Sequence, residues 1–366
     1  MINCISCSSQ KTVTFKVNIK SIPDTSNIYI TGNHPSLGNW APDKIRLNKI
    51  SDHNWEIRLS FLPETKLEFK FTRGTWDTEE MDDKGKRLPN HTIKVVKDST
   101  LEFNISYWKD NIIKSTKPEI TGDYELLKDI SYPGLLSRDI LVWLPPGYKE
   151  STNSRYPVLY MHDGQNLFDP NTSFLGKDWQ IDETADSLIR HKKIKPLIIV
   201  GIGNTSKRRE EYSYKQLGVI YKKFFIENLK PLIDKKYRTL TGAANTVVGG
   251  SSRGGLIAFI LAWENPDIFS GAICMSPAFK IDTIDYVKKV QQYSRPKKRL
   301  KFYIDNGGLD LDFELQPGID DMLKVLGEKG YILNQDIIWF QDKKATHNEN
   351  AWANRFWRPL TIFYKK

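Results

Sequence analysis

The sequence predicts two domains of different class, an all-β sandwich followed by an α/β domain with a doubly wound, mostly parallel sheet. Residues 11–108 consist of short segments that alternate apolar and polar residues, with Pro and Gly between them. From about residue 119, apolar strands ending in glycine-rich loops alternate with helical stretches, the pattern of helices on both faces of a parallel sheet. The length agrees: 366 residues, 39% of them hydrophobic and 12% aromatic, suggest two domains, or one large one, with a sizeable core.

In the first part, TVTFKVNI, SNIYITG, NWEIRLSF, LEFKFTRG and LEFNISYW each read as a strand, and no helical period of useful length interrupts them. Several such strands in about 100 residues suggest a sandwich of the immunoglobulin-like kind. Trp55 lies inside an alternating strand and reads as core. Residues 1–10 read as a disordered or signal-derived terminus, and 109–118, KDNIIKSTKP, as a linker.

The second part, residues 119–366, opens with the strand of SRDILVWLPPGY, which runs into a Pro-Pro-Gly turn. RYPVLYMHDG and PLIIVGIG are further strands ending at glycines, and WQIDETADSLIRHK and FFIENLKPLIDKKY are helical. Thr246, Val247 and Val248 form a short buried strand ahead of GGSSRGG. Leu256, Phe259, Ile260 and Trp263 then recur at helical spacing until Pro266 bars continuation. No internal repeat or low-complexity tract appears.

Between that strand and that helix, Gly250-Ser251-Ser252-Arg253-Gly254 matches G-x-S-x-G, the nucleophile elbow of hydrolases. Centred on Ser251 the pattern fails, because the fifth residue is Arg253. Ser252 is therefore the candidate nucleophile. In α/β-hydrolases the partners follow in the order Ser, acid, His. Of six histidines only His347 follows Ser252, on a loop after the strand DIIWF, which makes it the candidate base. His162 sits at a strand end before the elbow and reads as structural or as lining the site.

The acid belongs on the loop after the strand KFYI, where Asp305, Asp310 and Asp312 are candidates. Asp305 ends the strand and suits a turn cap. Asp310 follows the glycines, where the chain bends back, and is the first choice, with Asp312 second. An oxyanion hole needs two aimed amides. Arg253 supplies one, and Gln165, after the turn at Asp163-Gly164, supplies the other.

Two resemblances follow from these residues. GNHPSLGNWAPDKIRL, NWEIRLSF and LEFKFTRG resemble the starch-binding modules of carbohydrate-binding family 20, over most of 11–108. That resemblance implies a sugar-stacking role for Trp40, in the LGNW segment, although structural packing is an alternative reading of the same ring. The family's second tryptophan, expected before a Pro-Asn pair, is absent from MDDKGKRL ahead of Pro89-Asn90; Trp76 lies earlier, in RGTWDTEE.

Over about 119–366, PPGY, YMHDGQNLFD, Trp179 to Glu183, GGSSRGG, MSPAF, the Asn-Gly-Gly loop and the histidine loop resemble the esterase-D-like group of α/β-hydrolases in its motif order. That group includes feruloyl and acetyl-xylan esterases, siderophore trilactone esterases, S-formylglutathione hydrolases and mycolyltransferases. It implies a serine esterase with Ser252, Asp310 and His347 as triad, needing no metal or cofactor. Its G-T-x-D acid loop corresponds to Gly307-Gly308-Leu309-Asp310, with Gly308 in place of threonine. Arg253 stands where many members carry methionine. With a sugar-binding-like module in front, the expected substrate is an acetyl or feruloyl ester of a carbohydrate. The alternatives are a siderophore trilactone esterase and a non-catalytic carbohydrate-binding scaffold.

The net charge of +10 comes from scattered clusters (HKKIK, SKRREE and RPKKRLK) and reads as solvated surface; neither one basic face nor a nucleic-acid module is evident. No apolar run reaches the length of a membrane-spanning helix. Three cysteines form no disulfide framework: Cys274 reads as core, and Cys4 and Cys7 lack further zinc ligands at the needed spacing. ISCSSQ resembles the end of a bacterial lipoprotein signal, with Cys7 as the lipid anchor, which leans localisation toward periplasmic, secreted or lipoprotein; an ordinary disordered terminus is the other reading.

Overall fold

The computed structural model describes residues 9–19, 26–82, 87–111, 118–174, 176–281 and 283–366. The chain divides into two compact units between Thr116 and Lys117, and each is taken by itself. Cys4 and Cys7, with the lipid-anchor reading, lie outside the described residues, as does most of the expected linker.

The first unit is a sandwich of two four-stranded sheets among the described residues. In one, Lys11–Ile19 pairs antiparallel with Asn54–Phe61 and parallel with Ser99–Ile105, and Asn48–Ser51 forms an edge. In the other, Tyr29–Gly32 and Lys66–Thr72 pair antiparallel, flanked by Ile45–Arg46 and His91–Lys94. A strand turns alternate side chains to opposite faces. Accordingly Val13, Phe15, Val17 and Ile19 are buried while Lys16 and Asn18 face solvent. Phe15 meets Phe69 of the opposite sheet edge-to-face at 5.1 Å, and Trp55 joins this core.

The second unit is built on one eight-stranded sheet, numbered here within the unit. The strands are β1 (Asp123–Ile130), β2 (Arg138–Leu144), β3 (Val158–His162), β4 (Ile198–Ile202), β5 (Thr246–Ser251), β6 (Gly271–Met275), β7 (Lys301–Gly307) and β8 (Ile337–Asp342). Their spatial order is β1-β2-β4-β3-β5-β6-β7-β8. β2 runs antiparallel to both neighbours, and every pairing from β4 to β8 is parallel.

Both faces of this sheet are covered, which is why its strands read as continuous apolar runs. Val158 and Tyr160 of β3 enter one core, and Leu159 and Met161 enter the other. The helices Arg253–Glu264 and Leu311–Glu328 pack on the first face, and Ile181–Arg190 and Trp357–Phe363 on the second. The helix expected in FFIENLKPLIDKKY begins earlier, at Gln216, and passes through a π turn at Phe224–Leu229. Pro231, just beyond that turn, has no N–H for the regular ladder. Parallel α/β sheets present their ligand sites at the carboxyl ends of the strands. The loops and helix starts after β3, β5, β7 and β8 carry Gln165, Ser252, Arg253, Asp310, Asp312 and His347.

Candidate active site

Ser252 occupies the sharp turn between β5 and the helix Arg253–Glu264, with φ 54° and ψ −122°. A side chain other than glycine's pays strain at such a φ, so the turn must be held from outside. β6 and the loop after it do this: Met275 O accepts from Ser252 N at 2.9 Å, and Ser252 O accepts from Ala278 N at 3.1 Å. The flanking glycines are a steric requirement. A Cβ on Gly250 would lie 2.8 Å from the backbone of Gly254.

His347 lies just before the helix Glu349–Arg355, whose N-cap Asn348 accepts from Ala351 N at 3.0 Å. Its Nδ1 is 2.7 Å from Asp312 Oδ1. The acid brought to the histidine is thus Asp312, and the first-choice Asp310 is corrected here. Asp310 is the exposed N-cap of the helix Leu311–Glu328, at φ 52°, whereas Asp312 is one turn-position inside and fully buried. Asp312 Oδ2 accepts from Gly307 N at 2.7 Å and from Ser276 Oγ at 3.1 Å. Both carboxylate oxygens are therefore occupied, which fixes the face shown to the imidazole.

Asp305 is also corrected: β7 continues past it to Gly307, so it caps no turn. Its buried carboxylate is held by Arg355, at 3.1 and 3.2 Å, and by the Tyr303 hydroxyl at 2.9 Å. Burial raises its pKa, with Arg355 opposing.

The oxyanion candidates sit at two backbone turns. Arg253 is the first residue of its helix, where the amides precede any intrahelical acceptor and the dipole favours negative charge. Gln165 lies in the tight turn Gly164–Asn166 after β3, entered through Asp163 in the left-handed region at φ 61°. Asp163 is clamped by Arg208, Nε to Oδ1 at 2.6 Å and Nη2 to Oδ2 at 2.8 Å, and by Asn204 Nδ2 at 2.6 Å. Burial alone would raise the Asp163 carboxyl; the Arg208 charge and these hydrogen bonds outweigh it and hold the pKa below the usual carboxylate value. Asp163 Oδ2 lies beside Gly254, 3.1 Å from where a Cβ would stand, so the clamp joins the oxyanion loop to the nucleophile elbow.

His162 is structural. It is buried among Tyr212, Tyr221 and Phe225, with Nδ1 2.9 Å from the Tyr221 hydroxyl, and burial pulls its pKa down to about 3. Cys274 is buried in β6, and burial raises its thiol pKa.

Ser252 opens on a cavity of about 480 Å³, lined also by Arg208, Arg209, Arg253, Ile281, Leu311 and Leu315. Leu311 and Leu315 belong to the helix that carries Asp312, so that helix forms one wall of the nucleophile's cavity.

Ser276 and Trp352 are among the residues of the site with no role in the sequence reading. Ser276, in MSPAF, has φ 43°, is fully buried, and receives Trp352 Nε1 at 3.0 Å while donating to Asp312. Trp352 in turn sets its ring edge-on to His347, at 5.0 Å. β6 and the loop after it thus hold Ser252 through Met275 and Ala278 and Asp312 through Ser276.

In the first unit, Trp40 stands at φ 62° and is half-buried. Its ring lies 6.3 Å from that of Trp76, inclined by 37°.

Comparison with known proteins agrees with this architecture. A starch binding domain model matches residues 10–103. A curated endo-1,4-beta-xylanase/feruloyl esterase from Xylanibacter ruminicola is 31% identical over 136 residues, 35% of this chain and 18% of that protein. A solved ferulic acid esterase superposes with TM-score 0.54 at 20% identity, covering 66% of this chain and 98% of its own. An enterobactin esterase from Shigella flexneri superposes with TM-score 0.56 at 13% identity, covering 96% and 92%. At those identities the structural likeness is one of fold, that of an α/β-hydrolase behind a β-rich module. The family model described as Putative esterase matches residues 137–360, more than half of the chain, and the protein therefore belongs to this esterase family.

Proposed function

We propose that this esterase is a serine carboxylic-ester hydrolase that removes acyl groups, feruloyl or acetyl, from carbohydrates. The observations that carry the catalytic reading are the 2.7 Å contact of His347 Nδ1 with Asp312 and the strained turn at Ser252. In this reading Ser252 Oγ attacks the ester carbonyl and gives its proton to His347 Nε2. Asp312 holds the Nδ1 proton, fixes the tautomer and stabilises the imidazolium. The oxyanion is received by the amides of Gln165 and Arg253. The leaving alcohol takes the proton from His347. Water, deprotonated by the same imidazole, then attacks the acyl-enzyme and releases the acid.

The acyl class is supported by the feruloyl esterase similarity and by the mixed lining of the Ser252 cavity, in which Ile281, Leu311 and Leu315 offer an apolar surface. The carbohydrate is supported by the starch-binding match and by the Trp40–Trp76 pair, whose faces suit the apolar side of a sugar ring on an immunoglobulin-like sandwich. The test is release of ferulate from methyl ferulate and from feruloylated arabino-oligosaccharides, followed chromatographically. Turnover by the full chain and its loss in His347→Ala support the reading; absence of turnover on feruloyl and acetyl esters alike contradicts it.

A second reading, a siderophore trilactone esterase, is favoured by one observation. Arg209 and Arg253 line the Ser252 cavity and also an adjoining cavity of about 510 Å³ with Lys207 and Lys215, a setting suited to anionic catecholates. Faster hydrolysis of a catecholate trilactone than of any feruloyl or acetyl sugar would select it.

A further inference from the structure

A serine hydroxyl carries one hydrogen and two acceptor lone pairs. Two donors converge on Ser276 Oγ, Trp352 Nε1 at 3.0 Å and Arg355 Nη2 at 3.4 Å. An indole and a guanidinium only donate, so together they occupy both lone pairs. The hydroxyl proton is left with one direction, toward Asp312 Oδ2 at 3.1 Å. Both donors come from one helix. Trp352 and Arg355 stand three residues apart on Glu349–Arg355, hence on one face, and that helix begins two residues after His347.

Arg355 is itself buried and held in place. Asp305 takes its fork, with Nε 3.1 Å from Oδ2 and Nη2 3.2 Å from Oδ1, and the Tyr303 hydroxyl donates to the same carboxylate at 2.9 Å. The backbone carbonyl of Asp305 accepts from Ser276 N at 2.8 Å. The pair of Asp305 and Arg355 therefore fixes Ser276 at its backbone and at its side chain.

We propose that Arg355, seated by Asp305, is a positioning residue of this esterase: it fills a lone pair of Ser276, commits the hydroxyl proton to Asp312 and so keeps Asp312 Oδ1 turned to His347. The inference rests on the reading of Ser252, His347 and Asp312 as a triad. Asp305 has its own part in it. An unoccupied arginine fork pairs bidentately with a carboxylate and would compete with His347 for Asp312. With Asp305 in the fork, Asp312 receives a hydroxyl instead. The balance of charges agrees. Burial works against the Arg355 charge, but the Asp305 carboxylate and, more weakly, that of Asp312 outweigh it and raise its pKa, so the donor stays protonated.

The test measures steady-state kinetics on an activated ester, and Tm, for wild type, Asp312→Asn, Arg355→Met, Arg355→Lys and the double variant Asp305→Asn/Arg355→Met. Arg355→Met strands the Asp305 charge and is expected to be the least stable of these. The double variant removes both charges and is expected to unfold near the wild-type temperature. Its kcat is nevertheless expected to fall about fivefold at unchanged KM, the worth of about one hydrogen bond and no more than the loss for Ser276→Ala. Arg355→Lys keeps a charged donor and is expected to stay within about threefold of wild type. Recovery of wild-type kcat together with wild-type Tm in the double variant overturns the inference, because Arg355 then only balances a buried charge. Should the double variant fail to fold, Arg355→Lys decides: kcat close to wild type supports the inference, and a loss equal to that of Ser276→Ala overturns it. Full activity in Asp312→Asn would instead overturn the triad reading on which the inference stands.

Discussion

Asp312 Oδ1 stands 2.7 Å from His347 Nδ1, while Asp310, two residues earlier, is an exposed helix cap. The two aspartates therefore differ in consequence although they are near neighbours in sequence. Asp312→Asn is expected to lower kcat by about 10⁴ with KM little changed, because the amide favours the wrong imidazole tautomer. Asp310→Asn is expected to stay within about threefold of wild type, since a cap-to-cap exchange preserves the helix start. Steady-state kinetics on an activated ester compares them directly.

Ser276 links the acid to Trp352, and its removal affects positioning more than chemistry. Ser276→Ala strands the buried Trp352 N–H and leaves Asp312 Oδ2 with the Gly307 amide alone, at a cost of about 1–3 kcal/mol in unfolding free energy. A fall in kcat of about tenfold is expected with KM preserved. Gly307→Ala is harsher, because its Cβ would lie 2.3 Å from Asp312 Oδ2 and push the carboxylate off the histidine. A kcat loss of about a hundredfold is expected there, in a protein that still gives a cooperative unfolding curve.

The buried His162 sets a pH dependence of stability. Its folded pKa, about 3, is below the unfolded value of about 6.5, so the unfolded chain binds more protons between those limits. Stability from this group is fully present above pH 6.5 and falls by about 1.4 kcal/mol per pH unit as pH drops toward 3. His162→Phe, which keeps the aromatic packing with Tyr212 and Tyr221, is expected to flatten that acid limb. Urea unfolding of both proteins between pH 4 and pH 7.5 measures the difference in slope.

The Trp40–Trp76 pair predicts where the first unit meets sugar. Trp40→Ala and Trp76→Ala are each expected to weaken β-cyclodextrin binding at least tenfold, about the loss of one aromatic stacking contact. Esterase activity on a small soluble ester is expected to stay unchanged. Calorimetry on the folded variants checks the first statement and a chromogenic assay the second. Retained affinity in both variants would assign these rings to packing.

Much of this was legible in the residues because the signals were local. NWEIRLSF coincides with the strand Asn54–Phe61, and the elbow glycines mark a turn in which a Cβ on Gly250 would meet the backbone of Gly254. Chain order alone makes His347 the candidate base. The bend after the glycines points to Asp310, whereas the helix that follows carries Asp312 into the core. Leu315, Ile319, Met322 and Leu326 form a buried stripe, and stepping back three residues from Leu315 lands on position 312, inside the core-facing side. That period was available in the sequence. Other features were not: the Asp163–Arg208 clamp, the Ser276 bridge and the pairing of Trp40 with Trp76 join residues 45, 36 and 36 positions apart, and nothing local announces them.

The central claim is that Ser252, not its neighbour Ser251, is an activated nucleophile. Labelling with a fluorophosphonate, followed by mass spectrometry of the modified peptide, tests it in wild type, Ser252→Ala and Ser251→Ala. The account predicts one adduct, on Ser252, abolished in Ser252→Ala and retained in Ser251→Ala. An adduct on Ser251, or no adduct on a folded wild-type chain, would contradict it.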